Sequence, residues 1–505
     1  MSDNIYDLIR GRAPRLEKIA LDCADGPPLS YGDLFARAGR AANALVKLGV
    51  EPGDRVAVQI DKSPDMIALA LACFRVGAAL LPLNTAYTLA ELEYFLSNAR
   101  PALVVCRPPA LDQVRALADR LGIAAVESLG VGRDGTLAEK IADAPADFAT
   151  IPRAGGDLAA ILYTSGTTGR SKGAMLTHEN LASNALVLVD YWRFTEADVL
   201  IHALPVFHTH GLFVATNVAL LAGATMIYQP RFDADAIVKA LPRATSLMGV
   251  PTFYTRLLAH GGVTRESTKH MRLFVSGSAP LLADTHQAWR AKTGHAILER
   301  YGMTETNMIT SNPYDGDRVA GTVGFPLPGV SLRIAEPETG RILPQGEIGV
   351  IEVKGPNVFK GYWRMPEKTA EEFRSDGFFI TGDLGKIDGR GYVHIVGRAK
   401  DLIISGGFNV YPKEIEVEID ALPGVDESAV IGLPHPDFGE GVTAVVVPKK
   451  GATLTEEGVL AALEGRLAKY KLPKRVFFVE ELPRNTMGKV QKKVLREKRQ
   501  GIYGA

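Results

Sequence analysis

The sequence predicts an α/β protein: a large N-terminal domain of βα-layered sheets carrying a β-rich subdomain, followed by a small α+β domain. Three observations lead there. From about residue 55 to 300, short apolar runs alternate with longer amphipathic segments, the rhythm of βα units and of mostly parallel sheets covered on both faces. From about 320 to 397 the texture changes to strands punctuated by Gly and Pro, and from about 398 a second mixture of short strands and helices begins. The length of 505 residues also exceeds what one hydrophobic core usually serves. The predicted domains are therefore 1–397, with the β-rich part at about 320–397, and 398–505.

Taken in order, RVAVQI at 55–60 reads as a strand and MIALALACFRVGA at 66–78 as a helix. The long apolar stretch from Met66 to Leu83 is broken by Arg75 and Gly77, which favours a buried helix and a following strand over a membrane span. LAAILYT at 158–164 reads as a buried strand and LTHENLASNALVLVDYW at 176–192 as a helix. Strand-then-helix follows twice more, in VLIHALP with GLFVATNVALLAGA and in RLFVSGSAP with LLADTHQAWRAKTG. SLRIAE, GEIGVIEVKG and GYVHIVG supply the β-rich strands. Beyond them, EIEVEIDAL and EEGVLAALEGRLAKY read as helices around the strands AVIGLP and TAVVVP, and the basic ending KVQKKVLREKR reads as a solvated helix face.

Composition narrows the class. With 46% hydrophobic and 23% charged residues the chain has the make-up of a soluble globular protein. The 57 basic and 57 acidic side chains cancel, leaving no global field to draw it onto nucleic acid or an anionic membrane. Three cysteines, Cys23, Cys73 and Cys106, stand among apolar neighbours without CxxC or metal-ligand spacing, which fits a reducing cytoplasm. The N-terminus has no apolar core of a signal segment.

The stretch YTSGTTGRSKG, Tyr163 to Gly173, follows a buried strand and packs hydroxyls, glycines and two cations together. Gly166, Gly169 and Gly173 let backbone N–H groups converge, and Ser165, Thr167 and Thr168 add hydroxyl donors, a nest suited to phosphate oxygens. A polar surface turn has the same composition. The Walker A spacing is not met, because Lys172 follows Ser171 rather than a glycine.

The whole string resembles the phosphate loop of the acyl-adenylate-forming enzymes, which include acyl-CoA synthetases, adenylation domains and luciferases. PLNTAYT near 83, PVFHTHG at 205–211, SGSAPL at 276–281, YGMTE at 301–305, TGD at 381–383, GRAKDLIISGG at 397–407 and PRNTMGK at 483–489 match in order, over essentially the whole chain. The resemblance implies a carboxylate activated by transfer to the α-phosphate of ATP with loss of pyrophosphate, then passed to CoA. It places the β- and γ-phosphates on Thr164, Ser165, Gly166, Thr167, Thr168, Gly169 and Lys172, and Thr304 and Glu305 at the α-phosphate, with Glu305 holding Mg²⁺. Tyr301 and Gly302 take the adenine, Ser278, Ala279 and Pro280 line the nucleotide pocket, and Asp383 with Arg398 hold the ribose. Lys489 contacts carboxylate and α-phosphate during adenylation and is a target for a lysine acyltransferase. Lys400 falls at the hinge about which the small domain rotates, and Gly406 and Gly407 face the pantetheine arm. A glycine turn serves these last two residues almost as well.

The residue before YGMTE is Arg300. A guanidinium entering an acyl pocket calls for a counter-anion, and a second substrate carboxylate is a good bidentate partner. A salt bridge to Glu299 or another protein acid is the alternative. The run HAILERYGMTETNMITSNPYDGDR, with FHTHG, closely resembles the malonyl-CoA synthetases. That resemblance implies malonate as substrate, with methylmalonate as a second candidate. It puts His208 near the reacting carboxylate, Ser276 in the acyl pocket, and Thr209, Met303 and Met308 around the central carbon. His210 beside His208 suggests a metal pair, but no nearby Cys or acid completes a zinc site. Another short acid, a freestanding module loading a carrier protein, and a silent nucleotide-binding homologue are the rival readings. The presence of Glu305, Asp383, Arg398 and Lys489 disfavours the last.

Overall fold

The computed structural model describes residues 3–24, 26–164, 171–406, 408–485 and 488–504. The chain divides into two compact units. One is formed by Met1–Ser331 with Lys354–Phe373, and the other by Leu332–Val353 with Arg374–Ala505.

The first unit holds two α/β sheets. In the nine-stranded sheet the strands Leu298–Met303, Leu273–Ser276, Ser246–Gly249, Val199–His202, Thr225–Tyr228 and Ile19–Cys23 lie side by side and parallel. Asn307–Ser311 and Phe325–Pro326 extend one edge in antiparallel fashion, and Leu29–Ser30 the other. The six-stranded sheet runs Ala125–Ser128, Leu103–Cys106, Arg55–Gln59, Ala79–Pro82, Leu158–Thr164 and Lys172–Thr177, with only the last pair antiparallel. Strands such as Leu103–Cys106 are buried at every position, as expected where helices cover both faces of a parallel sheet.

Local chemistry explains the helix between the strands Arg55–Gln59 and Ala79–Pro82. Ser63 caps it by accepting the Met66 N–H, Pro64 fills the first turn where no N–H is needed, and Gly77 ends it at a φ of 79°, in the left-handed region. Cys73 and Cys106 are buried and Cys23 half-buried, all as free thiols. Among the described residues no helix is long and apolar enough to cross a membrane.

The second unit carries a four-stranded antiparallel sheet, Ser331–Ala335, Gly349–Lys354, Phe379–Ile387 and Val393–Arg398, and a mixed sheet dominated by the long pair Val425–His435 and Gly439–Pro448. Fully buried Glu352 sits between Arg333 and Arg374, at 2.8 and 2.7 Å.

Four segments differ from the sequence reading. Lys172–Thr177 is a strand, paired antiparallel with Leu158–Thr164, so a strand that was not expected precedes the helix His178–Tyr191. The segment expected as one helix from Gly211 opens as a π-helix, His210–Thr216, and becomes α-helical only at Asn217–Ala222. The helix expected over 456–470 stops at Leu463, because Gly465 adopts a φ of 79° and the chain turns. The basic C-terminal segment is helical only over Lys492–Glu497. It buries Leu495 against Ile431 and Val445, so its face is not wholly solvated.

One buried histidine ties the N-terminus to this frame and sets a pH limit on it. His178 is fully buried at the start of the helix His178–Tyr191, and its Nδ1 accepts the Ile5 N–H at 3.2 Å. Burial, then the charge of Arg153, pushes its pKa down to about 4. The unfolded chain takes up this proton below about pH 6.5 while the folded chain refuses it until about pH 4, so this contribution to stability falls as pH drops through that window, by up to about 3 kcal/mol. The stability advantage of wild type over His178→Asn in denaturant unfolding should shrink by about 2 kcal/mol between pH 7 and pH 4.5. An advantage constant across that range would show that His178 does not titrate this way.

Candidate active site

The site grows from the carboxyl ends of the parallel strands, where ligands of open α/β sheets bind. Ser276 ends the strand Leu273–Ser276, and the chain then turns through Gly277 to Ser278, whose φ of 70° is left-handed. Alongside, Leu298–Met303 and Asn307–Ser311 form a hairpin in which Gly302 faces Met308 and Met303 faces Asn307. A side chain at Gly302 would lie 1.9 Å from the Asn307 carbonyl oxygen, so only glycine fits there. Asn184 clamps the returning strand, donating to the Met308 carbonyl at 2.8 Å and accepting its N–H at 3.1 Å.

Arg300 lies on this hairpin and is 2% exposed. Its guanidinium is packed on the Gly277 backbone so closely that a Cβ there would come within 2.4 Å of Cζ. Among the described residues, neither its Nε nor its Nη2 has a hydrogen-bond partner, and no carboxylate stands within ion-pair distance. Neighbouring Glu299 instead accepts the Leu281 N–H at 3.1 Å. The salt-bridge alternative is therefore not what the structure contains. Burial pushes the guanidinium pKa down to about 9, which still leaves a cation at neutral pH.

Among the described residues, Ser276 Oγ, Thr209 Oγ1 and His210 Nε2 are further buried polar atoms without a hydrogen-bond partner. His210, 1% exposed, meets Ser278 Oγ through Nδ1 at 3.2 Å. Burial, then the charge of Arg300, holds its pKa well below the ordinary value, so the ring is neutral. His208 is only half-buried, and its Nδ1 accepts the His210 N–H at 3.4 Å. The sequence reading had given the substrate contact to His208 and treated His210 only as a possible metal ligand. The doubled histidine of FHTHG was the signal for His210; its burial could not be read from the sequence.

A second cluster surrounds Glu305, which is 4% exposed. Tyr362 Oη lies 3.0 Å from Glu305 Oε1 and 2.6 Å from Glu372 Oε2, while Lys172 Nζ pairs with Glu372 Oε1 at 2.7 Å and sits 4.1 Å from the Tyr362 ring centre. Backbone bonds from Lys360 and Trp363 to the strand Lys172–Thr177 hold Tyr362 in place. Burial, then Glu305 and Glu372, pushes the Tyr362 phenol well up; Glu372, despite burial, is held below the usual carboxylate range by Lys172 and Tyr362. Neither Tyr362 nor Glu372 was singled out from the sequence, because each gains meaning only from its contact with Lys172 or Glu305. Thr164 stands opposite Lys172 across the hairpin; Ser165, Gly166, Thr167, Thr168 and Gly169 lie outside the described residues. Tyr301, Gly302, Met303 and Thr304 are half-buried along the hairpin, Met308 is buried, Ala279 is half-buried and Pro280 exposed.

In the second unit, Asp383 and Arg398 are cross-strand neighbours paired at 2.7 Å. Lys400 sits in a 3₁₀ turn, Ala399–Asp401, that Arg496 ties down through Asp401 at 2.5 Å. Gly406, at a φ of 58°, donates its N–H to the Phe438 carbonyl, while Gly407 lies outside the described residues. Lys489 closes a loop in which its N–H meets Asn485 Oδ1 at 3.0 Å and Arg484 holds the Gly488 carbonyl at 2.6 Å.

Comparison with known proteins identifies the family. The family model described as AMP-binding enzyme matches residues 10–363, and the AMP-binding enzyme C-terminal domain matches 414–489. The chain is 38% identical over 480 residues to feruloyl-CoA synthase from an Amycolatopsis species, covering 94% of each. It is 37% identical over 506 residues to the mitochondrial malonate–CoA ligase of Mus musculus, covering 92% of this chain and 86% of that one. The crystal structure of ATP-bound MatB from Rhodopseudomonas palustris superposes with a TM-score of 0.98 at 65% identity, with all of both chains covered. With family models spanning most of its length and relatives of this identity matching more than nine-tenths of it, the chain belongs to the AMP-binding enzyme family.

Proposed function

We propose that the protein is an AMP-forming malonate–CoA ligase, converting malonate, ATP and CoA into malonyl-CoA, AMP and pyrophosphate through malonyl-AMP. The observation that carries the choice of acid is the buried Arg300 guanidinium, which has no partner acid among the described residues, together with the buried polar atoms of His210, Thr209 and Ser276 that have no hydrogen-bond partner among them. A second carboxylate satisfies it as a bidentate ion pair. His210 Nε2–H adds a neutral donor while Nδ1 accepts from Ser278. An aromatic acid, of the kind named for the Amycolatopsis relative, would leave that cation buried and unpaired, which is expensive. Met303 and Met308 bound the space at the central carbon and admit methylmalonate as a second acid.

The likeness to the ATP-bound structure and to the mouse ligase supports ATP and CoA as co-substrates. On this reading Thr164 to Lys172 take the β- and γ-phosphates, and Thr304 the α-phosphate. Ser278 to Pro280 with Tyr301 and Gly302 line the adenine pocket, and Asp383 with Arg398 bind the ribose. His208 orients the reacting carboxylate. Among the described residues no group of three or more His, Cys, Asp or Glu is built to hold a metal. Glu305 offers a single buried carboxylate, which suits Mg²⁺ sharing phosphate and water oxygens. Bound there, the ion would neutralise phosphate charge.

The carboxylate oxygen attacks the α-phosphorus in line, the bond to pyrophosphate breaks, and the thiolate of CoA then displaces AMP from the acyl carbon. Lys489 stabilises charge at phosphorus in the first step only. We assign residues 1–397 to the adenylating body and 398–505 to a domain that turns about Lys400 between the two steps, with Gly406 and Gly407 at the pantetheine arm. A lysine acyltransferase that neutralised Lys489 would stop the first step. With three free thiols, we place the protein in the reducing cytoplasm.

The deciding measurement is pyrophosphate release from ATP with malonate, methylmalonate, succinate, acetate and a medium-chain fatty acid, with and without CoA. Malonate-selective, CoA-stimulated release is expected; preference for a monocarboxylate would remove the role given to Arg300. Arg300→Ala should raise the KM for malonate at least about 100-fold and leave that for ATP within about two-fold, with Arg300→Lys recovering only part because an ammonium has no fork. Lys489→Ala should lower adenylation by about 100-fold or more and spare thioester formation from supplied malonyl-AMP. Equal loss in both half-reactions would count against its assigned role.

A further inference from the structure

Another amine with an unusual setting is that of half-buried Lys62. Lys62 occupies the turn between the strand Arg55–Gln59 and the helix Pro64–Val76, so it issues from the six-stranded sheet, yet its Nζ ends at the carboxyl edge of the nine-stranded one. There it donates to His202 Nδ1 at 2.9 Å and to the His202 carbonyl oxygen at 2.8 Å, and stands 4.4 Å from the centre of the Tyr228 ring. No acidic side chain among the described residues is paired with it, and burial lowers the pKa of its amine well below the ordinary value. Lysine makes a poor staple in such a place, because an apolar side chain of similar length would avoid the desolvation.

The contacts of His202 show what the amine does. Its Nε2 lies 2.9 Å from the Gly211 carbonyl oxygen, which can only accept, so Nε2 carries the proton and Nδ1 offers its lone pair to Lys62. The same Gly211 oxygen accepts from Thr216 Oγ1 at 2.9 Å. Gly211 itself is pressed against the backbone of Pro205, where a Cβ would come 2.0 Å from the carbonyl oxygen. This hub lies inside the π-helix His210–Thr216, a geometry that is rare and recurs at functional sites. The residue just before it is His210, whose ring lies within the field of both His202 and Arg300.

We propose that Lys62 is a positioning residue for acid selection. Through the fixed tautomer of His202 it holds the Gly211 carbonyl, and with it the π-helical turn that sets His210 beside Arg300. This rests on the pocket reading above. The contacts of Lys62 are with His202 and Tyr228, neither of which is assigned to ATP or to the acid, so its loss should act on the acid through geometry and leave the nucleotide alone.

The test uses the full-length enzyme and three measurements: initial-rate kinetics, melting temperature, and ¹⁵N spectra of protein labelled at its ten histidines. Lys62→Met keeps the stem over Tyr228 and removes the donor. It should raise the KM for malonate about ten-fold, leave the KM for ATP within about two-fold, and shift the His202 imidazole signals away from the single Nε2–H tautomer of wild type. Lys62→Gln, which retains an N–H donor, should recover most of the malonate affinity and the tautomer. If wild type selects malonate while Lys62→Met keeps its malonate KM, the inference about Lys62 fails and the pocket reading stands. Parallel losses for malonate and ATP with a large fall in melting temperature would make Lys62 structural, which also overturns it. Should Lys62→Met not fold, Lys62→Gln decides: a mixed His202 tautomer with unchanged malonate KM overturns the inference. A wild type with no preference for malonate overturns both.

Discussion

An arginine side chain enclosed at the ends of parallel strands, with two of its nitrogens unsatisfied, is the constraint around which the pocket is organised. Taking a guanidinium out of water without an ion-pair partner costs several kcal/mol, which the charge of Glu299, outside ion-pair distance, offsets only in part. The rest of the neighbourhood can be read as what keeps that cation in place. Gly277 brings backbone where a side chain would collide with Cζ, Glu299 is engaged by the Leu281 N–H rather than by Arg300, and Met308 closes the hairpin from its buried side. A protein acid placed opposite Arg300 would stabilise the fold and close the site to an anionic ligand. On the proposed reading, its absence among the described residues leaves the pocket selective for an anion.

The second cluster has the opposite character. Around Tyr362 the charges are already balanced within the protein: Lys172 against Glu372, and one phenol between two carboxylates. Lys172 and Glu305 are thus held through shared neighbours before any nucleotide arrives, which reduces the ordering that binding must supply. Electrostatics therefore serves two ends in the same unit. On the proposed reading a cation with no ion-pair partner among the described residues selects the acid, and a balanced network preorganises the groups assigned to phosphate.

Much of this was legible in the sequence, for identifiable reasons. The alternation of apolar runs and amphipathic segments reports burial on both faces of a parallel sheet, so the βα order could be read directly, and Ser63, Pro64 and Gly77 fixed one helix by local chemistry alone. Arg300 was legible because a permanent charge in an apolar setting is an anomaly at the level of residue type. Harder features were those set by tertiary contact. The π-helical turn has the same apolar content as an α-helix, and it differs only because Gly211 presses on Pro205 and shares its carbonyl with His202 and Thr216. The strand Lys172–Thr177 is short and half polar, and it forms because residues 360–363 add to its edge. Glu372 and Tyr362 are unremarkable letters until Lys172 and Glu305 are brought to them.

The division between what was readable and what was not follows the division of labour in the site. Groups assigned to the chemistry shared by the whole family, such as Glu305, Asp383 and Lys489, stand in motifs of fixed spacing, because phosphate and ribose impose the same geometry on every member. Groups proposed to choose the acid come from separate elements. Arg300 is on a hairpin, Ser276 at a strand end, Thr209 and His210 at the start of a π-helix, and their supports reach back to another sheet. Such residues can be exchanged singly without disturbing the phosphate machinery, because none of them shares a hydrogen bond with Lys172, Tyr362 or Glu372 among the contacts described. That separation lets one fold hold its adenylating chemistry constant while the acid it accepts changes by a few side chains. Relatives of similar identity to this chain carry names as different as feruloyl-CoA synthase and malonate–CoA ligase.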